Sequence, residues 1–296
     1  MSKTFLKGMY YVPKDSNENP YSILKNANKN NLNFIIIEYS NKYLFNDLSK
    51  DKFSKLTYIQ DKISSFEKKY RNTVGIICFK CHSIMGPIRI LLSKSIFKGE
   101  VFKLKNFYLW CYLNNPTLIL SSNNFTQIEN ENIKKYFTLY NDNFIKTVDN
   151  YLQLLNIGMK ITPIYINNGF IFIKNKSNDI FDFKNLKQYI TSQIKNGNFY
   201  ISNSDKLYLN YTLTNSSHDN KRYLSLDIKL NNTNFLNQKL ILLNNEHNSI
   251  INQNLYNLKN ISYNIDIKKG ANKFFILRIL SHNNLFALTS PIYTNF

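Results

Sequence analysis

Strand-like and helix-like segments alternate along the first two thirds of this 296-residue chain, and after Phe199 only strand-like segments follow. In the first part, the apolar run at residues 32–37 predicts a strand buried on both faces. Apolar residues spaced three or four apart over residues 53–70 predict an amphipathic helix. Strands that alternate with helices are typical of a parallel sheet or barrel. The first part therefore predicts an α/β domain over residues 1–199.

The last third consists of short segments in which apolar and polar residues alternate, separated by polar turns. Examples are KLYLNYTL, RYLSLDIKL and KFFILRIL. Alternation with a period of two predicts antiparallel strands with one buried face, and several such strands in a row are typical of a small β-sandwich. We therefore predict a two-domain protein of class α/β + β, with the β-sandwich domain over residues 200–296.

The chain is strongly basic, with a formal net charge of +19 that comes from 38 Lys and Arg against 19 Asp and Glu. A charge of this size favours polyanions such as nucleic acid as partners. The lysines are spread evenly, however, and the excess of Asn, Lys, Ile, Tyr and Phe is typical of an AT-rich genome. Two interpretations stay open: a solvated basic surface, or a polyanion site that uses lysines such as Lys14 and Lys80.

The motif CFKCH, from Cys78 to His82, matches the C-x-x-C-H form of covalent haem attachment. The segment instead continues the strand-like run TVGIICF, and the chain has no second Cys/His pair to complete four zinc ligands. There is also no nucleophile elbow and no glycine-rich phosphate loop. The sequence therefore predicts ordinary buried thiols and no cofactor.

The start of the chain, MSKTFLKGMYYVPKD, lacks the apolar core of a secretory signal. No apolar run is long enough for a membrane span, and three cysteines argue against a disulfide framework. These features predict a cytoplasmic protein without a membrane span, and they leave export by another route open.

Several segments carry a resemblance to a known family. They are LKGMYYVPKDSNENPYSILKNANKNNLNFIIIEYSN, NTVGIICF, DNYLQLLNIGMKITPIYINNGF, IKNGNFYIS and the end KKGANKFFILRIL with LFALTSPIYTNF. Their order and framework residues, including Gly8, Gly75 and Gly197, resemble the PHP (polymerase and histidinol phosphatase) family of metal-dependent phosphoesterases. The resemblance is to the branch that carries a C-terminal β-sandwich. It implies that the first domain is a distorted barrel of seven β/α units, a (β/α)7 barrel.

The resemblance also implies which positions correspond to the metal ligands of the family, which are His, Asp and Glu side chains. In this chain those positions hold Tyr11, Pro13, Tyr39, Ser40, Ile77, Ser121, Asn168 and Phe170. These residues do not form the carboxylate and imidazole cage that holds two or three divalent cations. Without metal there is no Lewis acid and no activated water for phosphoester hydrolysis. The resemblance therefore implies a protein that has lost the metal and the catalysis of its family.

We expect a non-catalytic pseudoenzyme that acts as a structural or interaction protein, forming a homo-oligomer or part of a larger assembly. The edge strands of the sandwich are the expected contacts. One alternative is a polyanion-binding module that uses the positive charge. The other is a hydrolase with an altered, metal-independent site at the barrel mouth. Its candidate pocket comprises Tyr11, Lys14, Tyr39, Ser40, Asn168 and Phe170.

Overall fold

The computed structural model describes most of the chain in separate ranges. They are residues 5–15, 17–40, 54–83, 86–92, 97, 104–120, 134–139, 144–156, 161–165, 169–175, 183–205, 207–215, 222–230, 238–244, 246, 248–255, 260–267, 274–281 and 284–293.

The described ranges form five helices and 17 strands. The helices are α1 (Pro20–Lys29), α2 (Ser54–Lys69), α3 (Leu104–Asn114), α4 (Phe144–Asn156) and α5 (Phe183–Asn196). The strands before residue 203 are β1 (Phe5–Tyr11), β2 (Phe34–Ser40), β3 (Val74–Ser83), β4 (Gly86–Leu91), β5 (Thr117–Leu120), β6 (Lys134–Leu139), β7 (Ile161–Tyr165), β8 (Phe170–Lys174) and β9 (Tyr200–Ser202). The strands after it are β10 (Leu207–Asn215), β11 (Arg222–Leu230), β12 (Gln238–Asn244), β13 (Ser249–Asn254), β14 (Asn260–Ile267), β15 (Phe274–Ser281), β16 (Asn284–Thr289) and β17 (Ile292–Tyr293).

Fourteen strands form one mixed sheet, in the order β13-β12-β15-β16-β9-β8-β1-β2-β3-β4-β5-β6-β7, with β17 paired to β15. Strands β1, β2 and β3 run parallel, as do β5, β6 and β7, and β4 lies antiparallel between the two groups. The predicted mixture of α/β elements followed by antiparallel strands is confirmed.

The predicted (β/α)7 barrel is not confirmed, because the main sheet does not close. Strand β7 lies close to β8 and β9, but among the described strands it pairs with β6 alone. The reason is that β8 already has a neighbour on each side: β1 on one edge and β9 on the other. No edge of β8 is left for β7, and the sheet continues instead through β9 into the C-terminal strands.

The register of β1, β2 and β3 divides their side chains between two faces. Tyr10 is paired with Ile36, which is paired with Ile76, so these three share one face. Gly75 lies on the opposite face, where an added Cβ would lie 2.9 Å from Ile63 of α2. We call the face of Tyr10 the inner face and the face covered by α1 and α2 the outer face.

Helix α5 lies across the amino-terminal ends of the parallel strands. Near its start, Lys187 Nζ is 2.8 Å from Glu67 Oε2, and Glu67 Oε1 accepts the backbone N–H of Gly75 at the beginning of β3. After its end, Gly197 lies against Thr162 at the beginning of β7. The carboxyl ends of the parallel strands therefore lie on the side away from α5.

The second sheet, β10-β11-β14, packs against the C-terminal strands of the main sheet. Leu209 and Leu226 share a buried cluster with Leu242 and Leu277 across the two sheets, as in a sandwich. The same cluster includes Phe172 of the N-terminal part. The domain boundary between residues 199 and 200 stays a prediction, because the main sheet runs through it by the pairing of β9 with β16.

None of the helices in the ranges given above is both long enough and apolar enough to cross a membrane.

Candidate functional site

A cluster of polar side chains lies on the inner face near the carboxyl ends of β1, β2 and β3, with β4 beside them. Glu38 pairs in register with Cys78, and Lys80 pairs with Arg89. Glu38 also shares a face with Ile36, two residues earlier on the strand, and therefore with Tyr10. We call these five residues, Tyr10, Glu38, Cys78, Lys80 and Arg89, the inner-face cluster.

The carboxylate of Glu38 is the centre of this cluster. Its Oε2 atom accepts one hydrogen bond from Arg89 Nε at 2.6 Å and another from the Tyr10 hydroxyl at 2.7 Å. Lys80 Nζ lies 3.8 Å from Oε1. The side chains of Glu38 and Arg89 are only 4% and 6% exposed, whereas that of Lys80 is 30% exposed. A buried, charge-assisted pair therefore occupies the inner face, with the partly exposed Lys80 beside it.

Burial also sets the protonation of the two neutral members of the cluster. The pKa of Cys78 is raised to about 12. Burial is the largest cause of this shift, and the nearby Glu38 carboxylate is the second. Burial is likewise the main reason that the pKa of Tyr10 lies well above its usual value of 10.0, with Cys78 and Glu38 adding to the effect. Both groups are therefore protonated at neutral pH. The cluster then holds one negative charge, on Glu38, and two positive charges, on Arg89 and Lys80.

The metal ions that the resemblance implies do not fit this donor set. The cluster offers a single carboxylate, which Arg89 already neutralises, and its excess charge is positive, so it repels a divalent cation. Within the part of the chain that the structure describes, no three His, Cys, Asp or Glu side chains come together to hold a metal ion. The charged groups of the cluster that the structure describes form a buried ion pair between Glu38 and Arg89.

Three aromatic residues of the predicted site lie on the outer face. Tyr11 pairs in register with Ile37, and Tyr39, two residues further along β2, shares that face. The Tyr11 hydroxyl donates to the Glu18 carboxylate at 2.9 Å. Phe170 pairs with Met9, which belongs to the same face of β1 as Tyr11. These aromatic residues therefore face away from the inner-face cluster.

The other predicted positions are dispersed. Ile77 lies on the outer face, next to Cys78, and Ser40 pairs with Lys80 on the inner face. Pro13 and Lys14 lie in the loop between β1 and α1, where Lys14 is exposed. Positions Ser121 and Asn168 lie outside the described residues. The structure thus joins Ser40 to the inner-face cluster and separates it from Tyr11, Tyr39 and Phe170.

The residues that sequence reasoning missed are Tyr10, Glu38, Cys78 and Arg89. A signal for Glu38 exists, because it follows Phe34 and Ile36 at a spacing of two and therefore continues one buried face with a carboxylate. Arg89 gives no such signal, because a single arginine in the strand GPIRIL does not indicate that its side chain is buried against Glu38.

The prediction of ordinary buried thiols is confirmed. Cys78, Cys81 and Cys111 are all buried and form no disulfide. Burial raises the pKa of Cys81 and of Cys111 to about 12, and the proximity of Cys111 adds to the shift at Cys81. His82, the last residue of the CFKCH motif, is exposed.

Comparison with known proteins finds likeness among solved structures. No protein-family model matches the chain, and no curated protein matches it. A solved structure similar to this chain is a two-domain protein from Bacteroides vulgatus that contains a predicted PHP-like metal-dependent phosphoesterase. The two chains are 10% identical, with a TM-score of 0.49, over 98% of this chain and 95% of the other. Membership of the PHP family stays a prediction from the sequence.

Proposed function

We propose that this chain is a non-catalytic protein on a PHP-like framework, which serves as a structural or interaction protein and associates with copies of itself. The observation that carries the proposal is the inner-face cluster. Its carboxylate, Glu38, is held by Arg89, Tyr10 and Lys80, and the excess charge of the cluster is positive. Phosphoester hydrolysis of the PHP type needs divalent cations, which this cluster repels. The ion pair stabilises the fold instead.

An exposed apolar face on α3 supports the interaction role. Tyr112 is 77% exposed, and Leu109 and Leu113 are 62% and 63% exposed. Leu109 lies three residues before Tyr112 and four before Leu113, so the three side chains share one face of the helix. Large exposed apolar faces commonly mark contacts with other proteins.

The partner we propose for this face is a second copy of the chain. The exposed residues of α3 include Lys105 and Asn106 but no acidic side chain. Two copies of a protein with a net charge of +19 repel each other over most of their surfaces, and least where apolar residues predominate. Two α3 helices that pack against each other bury these apolar side chains without bringing large numbers of lysines together.

The first test is the manganese content of the purified protein. After dialysis against Mn²⁺, we expect less than about one tenth of an equivalent per chain, because the cationic groups of the cluster outnumber its carboxylates. Plasma mass spectrometry measures the metal directly. Protein dialysed without Mn²⁺ provides the background. One or more tightly held equivalents would contradict the proposal and restore the metal-dependent phosphoesterase interpretation.

The second test is the mass of the protein in solution. Sedimentation velocity is expected to show a dimer or larger species, and Tyr112→Lys is expected to shift it to the monomer by placing a charge in the apolar contact. Tyr58→Lys is the matched control, since Tyr58 is 48% exposed on a different helix, α2. A monomeric wild-type protein, or equal dissociation by both variants, would exclude self-association through α3.

The two alternative functions stay predictions. The candidate pocket for an altered hydrolase is divided between the two faces of the sheet, with Ser40 on one and Tyr39 on the other. Of the two lysines named for polyanion binding, Lys80 lies beside Glu38 and Lys14 is exposed in a loop.

A further inference from the structure

A cleft of about 350 Å³ lies at the junction between the N-terminal part of the chain and the second sheet. The start of β1, the end of β8, the end of α5 and the middle of β10 form its walls. We call it the junction cleft. The side chains that matter for its chemistry are Phe5, Lys174, Gln193, Asn198, Tyr211 and Thr212. Its volume falls within the range of about 300–1,000 Å³ that is typical of small-molecule sites, which often lie between domains.

One wall of the junction cleft is aromatic and fixed in place. The ring of Phe5 stacks on Tyr208, with 5.6 Å between ring centroids, and meets Tyr200 edge to face at 5.9 Å. The Tyr200 hydroxyl donates to the carbonyl oxygen of Leu207 at 2.9 Å. Since these rings are held by the core, the apolar surface is already formed before any ligand binds.

The polar groups of the junction cleft are not neutralised by one another. Lys174 is half-buried, and among the described residues no acidic side chain lines the cleft with it. Asn198 Nδ2 donates to Gln193 Oε1 at 3.2 Å. In the described part of the chain, the other two amide atoms, Gln193 Nε2 and Asn198 Oδ1, have no hydrogen-bond partner. The cleft therefore offers one positive charge, one amide donor and one amide acceptor beside an aromatic wall.

Tyr211, which also lines the cleft, adds no charge to it. Burial raises its pKa to about 12, so the phenol stays protonated and places no negative charge near Lys174. A half-buried ammonium without an acidic neighbour interacts strongly with an anion that enters its site, because little water screens the pair.

We propose that the junction cleft binds a small organic anion that carries an aromatic or similarly flat apolar group. Lys174 pairs with the anionic group, and the apolar part packs against Phe5 and Tyr211. The amides of Gln193 and Asn198 orient the ligand by hydrogen bonds at its edge. This site is separate from the inner-face cluster and does not depend on whether the protein self-associates.

Naphthalene-1-sulfonate is a suitable probe, because it combines a sulfonate with a flat ring and cannot be hydrolysed. Sulfate and 1-naphthol each represent one half of it. In calorimetric titrations of the full chain at low salt, we expect one naphthalene-1-sulfonate per chain, bound at least about tenfold more tightly than either half. Absence of saturable binding to the folded protein, or equal binding of 1-naphthol, would overturn the proposal.

Variants assign the binding to the junction cleft. Lys174→Met is expected to weaken binding by at least about tenfold, whereas Tyr211→Phe, which keeps the ring against which the ligand packs, is expected to change the affinity little. Lys25→Met is the matched control, since it removes the same charge from an exposed position on α1. Thermal unfolding verifies that each variant is folded. Equal affinity of Lys174→Met and wild type, or equal losses in Lys174→Met and Lys25→Met, would also overturn the proposal.

Discussion

Arg89→Met is expected to lower the free energy of unfolding by about 3–5 kcal/mol, because it leaves the buried Glu38 carboxylate without its guanidinium partner. The lost contact is the hydrogen bond from Arg89 Nε to Glu38 Oε2 at 2.6 Å. Methionine has a similar length and remains compatible with the apolar surroundings, so the change tests the charge more than the volume. Urea unfolding, followed by far-UV circular dichroism at pH 7, measures the loss.

Two further variants separate the ion pair from general effects of mutation. Lys80→Met should cost less than about 1 kcal/mol, because the Lys80 ammonium is partly exposed and lies 3.8 Å from the carboxylate. Glu38→Gln combined with Arg89→Met should recover most of the stability lost by Arg89→Met alone, because no buried charge remains. If Arg89→Met costs no more than Lys80→Met, the ion pair does not stabilise the fold in the way described.

Gly8→Ala is expected to lower the free energy of unfolding by about 3 kcal/mol or more, through overpacking of the inner face. A Cβ at residue 8 would lie 2.3 Å from the ring of Phe34, the residue paired with Gly8 in register. The Phe34 ring is completely buried, so moving it requires its neighbours in the core to move as well. Urea unfolding measures this change as well.

The cause of this loss can be tested by making space for the new methyl group. In the Gly8→Ala background, Phe34→Leu should cost less than Phe34→Leu does in the wild type, and such non-additivity is expected of residues in contact. Gly75→Ala is the control, since its Cβ would lie 2.9 Å from the methyl group of Ile63, and we expect a smaller loss. Strictly additive effects of the changes at residues 8 and 34 would contradict the packing explanation.

One helix and one strand could be predicted from the sequence because their signals are local. Apolar spacing over residues 53–70 predicts the helix seen as α2 (Ser54–Lys69), within one residue at each end. The buried strand at residues 32–37 is likewise found, as β2 (Phe34–Ser40). The burial follows from the apolar spacing in the helix and from the continuous apolar run in the strand.

The faces of the strands could not be predicted in the same way. The resemblance points to Tyr11, Tyr39 and Ile77, whereas Tyr10, Glu38 and Cys78 are the residues on the inner face. A shift of one residue moves a side chain to the opposite face of a sheet, so an alignment that is accurate to one residue is not sufficient. The open main sheet could not be predicted either. It depends on the pairing of β9 with β16, which are about 85 residues apart in sequence, and no local pattern indicates such a pairing.

The unbroken main sheet also has a mechanical consequence. From β7 to β13, each strand is joined to the next by backbone hydrogen bonds, and the step from β9 to β16 belongs to the same series. A pull on the C-terminal strands is therefore transmitted to β1 through paired backbones and not through a flexible linker. Bending between the two parts of the chain requires shear or rupture of strand pairs, so the protein is stiff in the plane of this sheet.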